Sequence, residues 1–144
     1  MSEADNCALV NRFIDEVFNT GNFDAVDEIL ARDYLHHDPT TQEFGSGIEG
    51  FKRLLGYYRD AFPDLEIRLD DQFAAGDRVV DRWTGHGTHQ GELMGVAPTG
   101  RPVTAGGISI HRIENGRIAE TWNNYDAAGM LRQLGAISGI KSDS

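Results

Sequence analysis

The first 62 residues place apolar side chains at the three- and four-residue steps of amphipathic helices. Gly21 ends the first helical stripe, and Asn22 can cap a second one directly after it. Pro63 ends a third helix, which begins at or slightly before Gly50. The apolar positions of these three N-terminal helices are Leu9, Val10, Phe13, Ile14, Val17 and Phe18; Phe23, Val26, Ile29 and Leu30; and Ile48, Phe51, Leu54, Leu55, Tyr58 and Phe62.

After Pro63 the apolar spacing changes to two, which is typical of strands with one buried face. Leu65, Ile67 and Leu69 alternate with charged residues in this way. Asn115-Gly116 is the strongest hairpin signal in the chain. The predicted strands are 65–70, 79–88, 103–113 and 117–125, with a turn at 75–77 and a glycine-bearing loop at 91–102.

Helices first and an antiparallel meander afterwards indicate an α+β fold. We predict three N-terminal helices packed on a curved, mainly antiparallel sheet, followed by a short C-terminal helix from Ala127. The length of 144 residues is that of one domain, and no repeat or linker interrupts it. A single domain of residues 1–144 is therefore predicted.

The hairpin turn also predicts which side chains share a face of the sheet. A regular ladder pairs His111 with Glu120, most simply as a salt bridge on the sheet surface or at a subunit interface. The other predicted pairs are Ile113 with Ile118 and Ser109 with Trp122. Without a bulge, Trp122 and Asp126 would lie on one apolar strip that ends in a carboxylate, as a pocket wall would. A bulge, for which Asn123-Asn124 is a candidate, would invert this arrangement.

The composition narrows the classes of partner. The formal charge of −10 argues against nucleic acid and anionic membranes, since both select clustered Lys and Arg. The first residues are polar and acidic, unlike a signal peptide, and no apolar run reaches the ~20 residues of a membrane span. Cys7 is the single cysteine, which fits a reducing compartment. A cytoplasmic protein with neither a nucleic-acid nor a membrane partner is predicted.

Three segments of the chain are distinctive. The opening helix ends in Phe18-Asn19-Thr20-Gly21 and is followed by Asp33-Tyr34-Leu35. A loop with the sequence GTHQGELMGVAPTGR covers residues 87–101. The tail places Gly129, Leu131 and Gln133-Leu134-Gly135 after Asp126. In these segments the chain resembles the SnoaL-like polyketide cyclases, and the resemblance extends over roughly residues 7 to 137.

This resemblance implies a cone-shaped α+β barrel of the ketosteroid-isomerase type (a cystatin-like cone), assembled as a homodimer or homotetramer through its sheets. It implies a cofactor-free and metal-free intramolecular aldol condensation that closes the last ring of an anthracycline-type polyketide ester. The catalytic aspartate of the family falls on Asp126. Asn124-Tyr125 precedes it here, whereas Trp-Pro precedes it in the anthracycline cyclases.

Asp126 has two interpretations from its position. As a general acid/base it would need to lie beside the carbon acid of the substrate, in an apolar pocket near Trp122. Aspartate is also a preferred helix N-cap, and Asp126 directly precedes the predicted C-terminal helix. The two roles can coexist.

The histidines are interpreted mainly as polar groups of the pocket. His89 matches a histidine of the family loop, and we predict that it bonds a substrate carbonyl or the developing enolate oxygen as a second catalytic residue. His37 is expected to line the same cavity. The groups His36-His37-Asp38 and His86-x-x-His89 match no established metal-ligand spacing, so no metal site is predicted.

The remaining predicted contacts are with a hydrophobic small-molecule substrate. Asn123 and Asn124 can each donate a hydrogen bond to an enolate oxygen or face water. The predicted substrate-binding residues are His37, Tyr58, Trp83, Met94, Trp122 and Asn124.

Three functions are compatible with these residues. The first is a polyketide cyclase with Asp126 as its general acid/base. The second keeps the pocket but uses proton abstraction for isomerisation, dehydration or cofactor-free hydroxylation. The third is a non-enzymatic module that binds a small ligand or forms dimers, in which Asp126 only caps its helix.

Overall fold

The structure, a computed structural model, describes residues 2–137. Its helices are α1 (Glu3–Arg12), which continues into a π-helical stretch (Phe13–Asn19), α2 (Phe23–Ile29), α3 (Gly47–Ala61) and α4 (Ala127–Gln133). Its strands are β1 (Leu30–His37), β2 (Glu66–Ala75), β3 (Arg78–Thr88), β4 (Pro102–Glu114) and β5 (Arg117–Tyr125). A short 3-10 turn (Gln42–Phe44) precedes α3.

The predicted helix boundaries agree with the structure. Gly21 follows the first helical segment with a φ of 73°, a backbone conformation that residues other than glycine rarely adopt. The Asn22 side chain then accepts hydrogen bonds from the backbone N–H groups of Asp24 and Ala25, and so caps α2. Helix α3 ends at Ala61, two residues before Pro63.

The five strands form one unclosed, mixed sheet in the order β1-β5-β4-β3-β2. All neighbours are antiparallel except β1 and β5, which are parallel. The four helices pack against this sheet, and the predicted α+β class is confirmed. Strand β1 was not predicted, because the segment ARDYLHH lacks the apolar alternation that marks β2.

A bulge in β5 determines the rest of the sheet register. The turn at Asn115-Gly116 is present, with φ angles of 52° and 73°, and Ile113 pairs with Ile118 as predicted. The ladder resumes one residue later on β5 than on β4, so Ala119 is left without a partner. The bulge therefore lies at Ala119 and not at the two asparagines.

The predicted pairs beyond this bulge are wrong for that reason. His111 pairs with Thr121 and is buried, so it forms no surface salt bridge with Glu120. Ser109 pairs with Asn123 and not with Trp122. Every residue of β5 after the bulge consequently lies on the opposite face from the one predicted.

Two apolar clusters hold the helices against the inner face of the sheet. The larger one is built around Phe13, Ile29, Tyr34, Phe51 and Leu55, which are almost completely buried. The smaller one joins α4 to the end of α3 and to the loop after β3, through Phe62, Leu93, Val103, Met130 and Leu134. Within residues 2–137, no helix has the length and apolar character needed to cross a membrane.

Candidate active site

An apolar cavity of about 130 Å³ lies between the helices and the inner face of the sheet, with walls from both apolar clusters. Aromatic and aliphatic side chains make up most of its surface, as is usual for a small-molecule site. Its polar lining side chains are His36, Asp38, Tyr58, Trp83, His86, Ser109, His111, Thr121, Asn123 and Tyr125.

A second cavity of about 300 Å³ adjoins the first, beneath the segment of residues 41–46 that leads into α3. His36, Asp38 and Leu54 line both cavities. No other Asp or Glu within residues 2–137 lines either of them. Asp38 and His36 therefore occupy the junction between the two spaces.

Asp38 follows β1 directly and is 94% buried, with a relative exposure of 6%. Its Oδ1 accepts hydrogen bonds from the backbone N–H of Thr40 at 2.8 Å and from the Thr40 hydroxyl at 2.7 Å. Its Oδ2 accepts one from the side-chain amide of Asn123 at 2.8 Å. Two carboxylate oxygens provide about four acceptor positions, so these bonds orient Asp38 and leave it able to accept a further hydrogen.

A chain of hydrogen bonds along the cavity wall orients Asn123 toward Asp38. The Trp83 indole N–H donates to Ser109 Oγ at 3.1 Å, and the Ser109 hydroxyl donates to Asn123 Oδ1 at 2.6 Å. With its oxygen occupied in this way, Asn123 presents its NH₂ group to the carboxylate. Gly107 makes room for the indole, because a Cβ at that position would collide with the Trp83 ring.

Two tyrosines provide hydroxyl groups in the same cavity. The hydroxyl oxygens of Tyr58 on α3 and Tyr125 at the end of β5 lie 2.5 Å apart. Burial, and for Tyr58 also the neighbouring Tyr125, raises the pKa of both phenols above the usual value, so both are protonated at neutral pH. One hydrogen bridges the pair.

His36 is a neutral imidazole with one bonded and one unbonded nitrogen. Its Nδ1 lies 2.9 Å from the Tyr34 hydroxyl, whereas its Nε2 is buried and has no partner within the described residues. Burial lowers the pKa of His36 to about 4. A buried ring nitrogen without a partner, on a residue that lines the cavity, is available to a ligand.

His111 lies deeper in the wall and is paired with a buried carboxylate. Its Nε2 is 3.0 Å from Oδ2 of Asp81, and its Nδ1 is 2.9 Å from the Thr121 hydroxyl. Asp81 has no exposed surface, and its other oxygen accepts a hydrogen bond from the Gln72 amide at 3.0 Å. This pair brings a second carboxylate close to the cavity without lining it.

Two of the predicted substrate-binding residues line the cavity. Tyr58 reaches it from α3, and Trp83 reaches it from the inner face of β3. Asn123 also lines it, whereas Asn124, the asparagine that we predicted to bind substrate, is exposed on the other face of β5.

Asp126 lies outside both cavities and is exposed to solvent. Its side chain accepts a hydrogen bond from the backbone N–H of Gly129 at 2.8 Å and caps α4. A Cβ at Gly129 would collide with the Asp126 carboxylate, so the glycine keeps the cap in place. The geometry therefore supports the helix-cap interpretation of Asp126 and offers no support for the predicted role as base.

His37 and Trp122 lie on the outer face of the sheet, away from the cavity. Their ring centroids lie 5.4 Å apart in a stacked arrangement, and the Arg78 guanidinium carbon lies 5.1 Å from the centroid of the Trp122 ring. His37 Nε2 lies 2.6 Å from the carboxylate of Glu120, and this hydrogen bond lowers the pKa of Glu120. Both residues were expected in the pocket and belong instead to a surface cluster.

His89 and Met94 lie in the loop after β3 and line neither cavity. His89 is fully buried, and its Nδ1 accepts a hydrogen bond from the backbone N–H of Thr99 at 3.2 Å. The Met94 backbone N–H donates to the Tyr57 hydroxyl at 2.5 Å. The contacts of His89 and Met94 thus hold the loop in shape.

Sequence reasoning missed Asp38, His36 and Tyr125 as site residues. It considered His36 and Asp38 only as metal ligands, and no group of three or more His, Cys, Asp and Glu within residues 2–137 is placed to hold an ion. Tyr34, His36 and Asp38 follow one another at steps of two, so recognition of β1 as a strand would have placed them on one face.

Comparison with known proteins agrees with this architecture. The model of the family of SnoaL-like polyketide cyclases matches residues 8–134. The nogalonic acid methyl ester cyclase of Streptomyces nogalater is 36% identical over 124 residues, which are 82% of this chain and 89% of that protein. The aklanonic acid methyl ester cyclase AcmA of Streptomyces galilaeus is 32% identical over 136 residues, or 92% of each protein.

Solved structures of similar proteins superpose on this chain over most of its length. TsrD from Streptomyces laurentii superposes with a TM-score of 0.85 at 32% identity, over 95% of this chain and 99% of that one. AclR from Streptomyces galilaeus, a proposed hydroxylase, superposes with a TM-score of 0.85 at 27% identity, over 97% and 91%. The resemblance seen in the sequence is confirmed, and the chain belongs to the SnoaL-like polyketide cyclase family.

Proposed function

We propose that this protein is a polyketide cyclase that closes a ring by intramolecular aldol condensation of a polyketide ester, with Asp38 as its base. One observation supports this assignment above the others. Asp38 is a buried carboxylate at the junction of two cavities, and it is oriented by three hydrogen bonds that leave an acceptor position open. A carboxylate held in this way can take a proton from a carbon acid bound beside it.

The substrate class follows from the relatives and from the wall of the cavity. Relatives at 31–36% identity are cyclases of nogalonic and aklanonic acid methyl esters. The apolar and aromatic lining suits a planar polycyclic compound of that kind, and the adjoining second cavity extends the available space. We therefore propose a polyketide methyl ester as the substrate.

The reaction as proposed uses side chains of this chain alone. Asp38 removes a proton from the carbon between the ester and its neighbouring carbonyl, and the resulting enolate attacks a ketone of the same molecule. The hydroxyl groups of Tyr58 and Tyr125 line the same cavity and serve as hydrogen-bond donors to the enolate oxygen. An aspartate base opposite a hydroxyl donor is an established arrangement for enolate chemistry.

The cavity contributes by positioning as well as by proton transfer. Both reacting carbons belong to one molecule, so binding it in a folded conformation brings them together without a second encounter. The apolar walls also exclude water, which strengthens the hydrogen bonds to the enolate oxygen.

The matched variants Asp38→Asn and Asp126→Asn test this proposal against the sequence-based one. We expect Asp38→Asn to lower kcat for cyclisation of aklanonic or nogalonic acid methyl ester by about 10²–10⁴-fold, because the amide cannot accept the proton. Asp126→Asn should keep kcat within about threefold and lose at most about 1 kcal/mol of stability, because asparagine still caps a helix. Loss of activity in Asp126→Asn with full activity in Asp38→Asn would reverse the assignment.

Similarity to AclR supports cofactor-free hydroxylation as a second candidate function. The same enolate would then react with dioxygen and not with a ketone, and a two-electron reductant from solution would convert the resulting hydroperoxide into the alcohol and water. Mass spectrometry separates the two outcomes, because cyclisation leaves the composition of the substrate unchanged and hydroxylation adds an oxygen atom.

A second copy of the chain is the proposed partner. The outer face of the sheet carries a cross-strand row of Phe73, Val80, Ile110 and Trp122, and Phe73 is 57% exposed. Ile108 lies nearby on the same face and is 54% exposed. Large apolar side chains exposed next to one another on one face are typical of an interface. Sedimentation of Phe73→Glu should show dissociation to a monomer if this face forms the dimer.

The compartment remains part of the proposal. Cys7, the single cysteine, is half-buried in α1 and is unpaired. A chain that does not use disulfides fits a reducing cytoplasm, and fractionation of the producing cell would test it.

A further inference from the structure

We propose that Trp83 and Ser109 are positioning residues for the proposed base, because together they hold the side-chain amide of Asn123 in the one orientation that serves Asp38. The inference rests on the proposed function, since it explains how the carboxylate that takes the substrate proton is oriented and is able to return that proton. In this role Trp83 and Ser109 act through Asn123 and need no contact with the reacting atoms.

The four residues form one row of hydrogen bonds across four neighbouring strands of the sheet. The Trp83 indole N–H on β3 donates to Ser109 Oγ on β4 at 3.1 Å, and the Ser109 hydroxyl donates to Asn123 Oδ1 on β5 at 2.6 Å. The side-chain nitrogen of Asn123 donates at 2.8 Å to Oδ2 of Asp38, which directly follows β1. All three distances are those of ordinary hydrogen bonds, so the row is continuous.

The sheet places each member of the row beside the next one. Ser109 and Asn123 are direct cross-strand partners on β4 and β5. Strand β1 runs parallel to β5, and the end of β1 brings Asp38 beside Asn123. Trp83 lies opposite Gly107, where the absence of a side chain leaves room for the indole to reach Ser109. Strand register and one glycine therefore build the row.

The direction of the hydrogen bonds is fixed at both ends of the row. An indole N–H can only donate, so Ser109 Oγ accepts from Trp83 and uses its own hydrogen to bond Asn123 Oδ1. An ionised carboxylate can only accept, so Asp38 takes an amide hydrogen of Asn123 at the other end. In a reversed amide, the oxygen would face the carboxylate, where two acceptors form no hydrogen bond.

The free acceptor position of Asp38 lies on the oxygen that Asn123 contacts. Oδ1 of Asp38 accepts two hydrogen bonds, both from Thr40, which occupy its two acceptor positions. Oδ2 accepts only the bond from Asn123. Oδ2 is therefore the atom that takes the proton from the substrate, and the amide of Asn123 is next to that proton.

The row has its main effect after this proton transfer. A protonated carboxyl group can donate, so a reversed Asn123 would accept the new hydrogen of Asp38 with its amide oxygen. Reversal would also point the amide NH₂ group at Ser109 Oγ, which already accepts from Trp83, and would leave the Ser109 hydrogen without an acceptor. Asn123 consequently remains a donor and does not compete with the substrate for the proton.

The proton of the substrate is then returned to the substrate. Asp38 takes the hydrogen from the C–H bond, the enolate carbon bonds to the ketone carbon, and the ketone oxygen becomes an alkoxide. The O–H bond of Asp38 then breaks as the alkoxide takes the hydrogen and becomes the alcohol of the product. Asp38 ends as an ionised carboxylate, and the protein has neither gained nor lost a proton.

Kinetic measurements on variants of the row test its effect on the base. Ser109→Ala removes the link between the indole and the amide, and should lower kcat about 10–10²-fold with KM within about threefold, because the base is displaced. Ser109→Thr keeps a hydroxyl group and should recover most of this loss. Trp83→Phe keeps an aromatic wall without the N–H and should lose less than Ser109→Ala. Trp122→Phe, on the outer face, is the control and should retain the wild-type rate.

A wild-type kcat in Ser109→Ala would overturn the inference. A double-mutant cycle also separates positioning from direct contact with the substrate, because Ser109 itself lines the cavity. A residue that acts only through Asn123 has no further effect once that side chain is removed, so Ser109→Ala should change kcat by less than about twofold in the Asn123→Ala background. An equal loss in both backgrounds would mean that Ser109 acts on the substrate directly, and would overturn the positioning role.

Side-chain NMR gives a test that needs no substrate. The amide hydrogens of Asn123, assigned with Asn123→Ala, should exchange with solvent faster in Ser109→Ala than in the wild type, because one of the two bonds that hold the amide is lost. Trp122→Phe should leave the exchange unchanged. Equal exchange in the wild type and Ser109→Ala would contradict only the inference, whereas a wild-type protein that cyclises no ester would contradict the proposed function.

Discussion

The two faces of β5 carry different chemistry, although their residues alternate along nine positions of one strand. The inner residues Thr121, Asn123 and Tyr125 bond to His111, Asp38 and Tyr58, respectively. The outer residues stack, form ion pairs or face solvent, as Trp122 does against His37 and Glu120 does with Arg112. The inner face therefore builds a site, and the outer face builds a surface.

The bulge at Ala119 decides which residues belong to which face. Without it, Trp122 and Asn124 would lie inside, and the motif residues singled out from the sequence would form the cavity wall. With it, the carboxylate that reaches the cavity comes from the end of β1. The candidate base is therefore Asp38 at the end of β1, and not Asp126 at the start of α4.

Deletion of Ala119 should have the largest effect on stability, because it removes the bulge that determines which residues of β5 face the cavity. The shortened strand must place either Trp122 in the space of Thr121 or the polar inner residues on the outside. We expect the free energy of unfolding to fall by more than about 4 kcal/mol, as measured by urea denaturation. Ala119→Gly keeps the number of residues and should lose only about 1 kcal/mol. Equal stability of the deletion variant and the wild type would show that the bulge does not set the register.

The neighbouring histidines of β1 should differ in their effect on acid stability. The pKa of His36 is lowered to about 4 from 6.5, so between these values the unfolded chain binds a proton that the folded chain does not. The neutral ring therefore makes its full contribution to the free energy of unfolding above pH 6.5. As the pH falls from 6.5 to 4, the free energy of unfolding should decrease by about 3 kcal/mol.

The measurement is urea denaturation at a series of pH values in that window. His36→Gln should remove this component of the pH dependence, and His37→Gln, on the exposed face, should keep it. Parallel curves for the wild type and His36→Gln would mean that His36 is not buried as a neutral ring.

The smallest expected difference in stability is between variants of the adjacent residues Asn123 and Asn124. Asn123→Leu removes one hydrogen bond from the carboxylate of Asp38 and one from the hydroxyl of Ser109, and should cost about 1–3 kcal/mol. Asn124→Leu changes an exposed side chain and should stay within about 0.5 kcal/mol. Thermal unfolding of both variants measures the difference. Equal losses would indicate that both faces of β5 are packed alike.

Most of the fold was predictable, because its periodic patterns are strong. The helical stripes, the switch to a period of two and the Asn115-Gly116 turn each have a local cause, and the corresponding elements are present. Strand β1 was not predictable in this way. Its pairing partner, β5, is remote in the chain, and its own segment lacks apolar alternation.

The site was less predictable than the fold. Tyr58 and Trp83 line the cavity as expected, since their elements were correctly assigned. The positions of Trp122 and Asn124 depended on the ladder, and no feature of the sequence near Ala119 marks a bulge. Asp38 and His36 depended on β1, so an error in one strand hid the proposed base and the histidine that lines both cavities with it.

The central claim is that Asp38, and not Asp126, removes the proton from the substrate. The most direct measurement is hydrogen–deuterium exchange at the acidic carbon of a bound β-keto ester, followed by NMR in deuterated buffer. The wild type and Asp126→Asn should catalyse exchange at similar rates, and Asp38→Asn should lose about 10²–10⁴-fold. Exchange that persists in Asp38→Asn and disappears in Asp126→Asn would contradict the account.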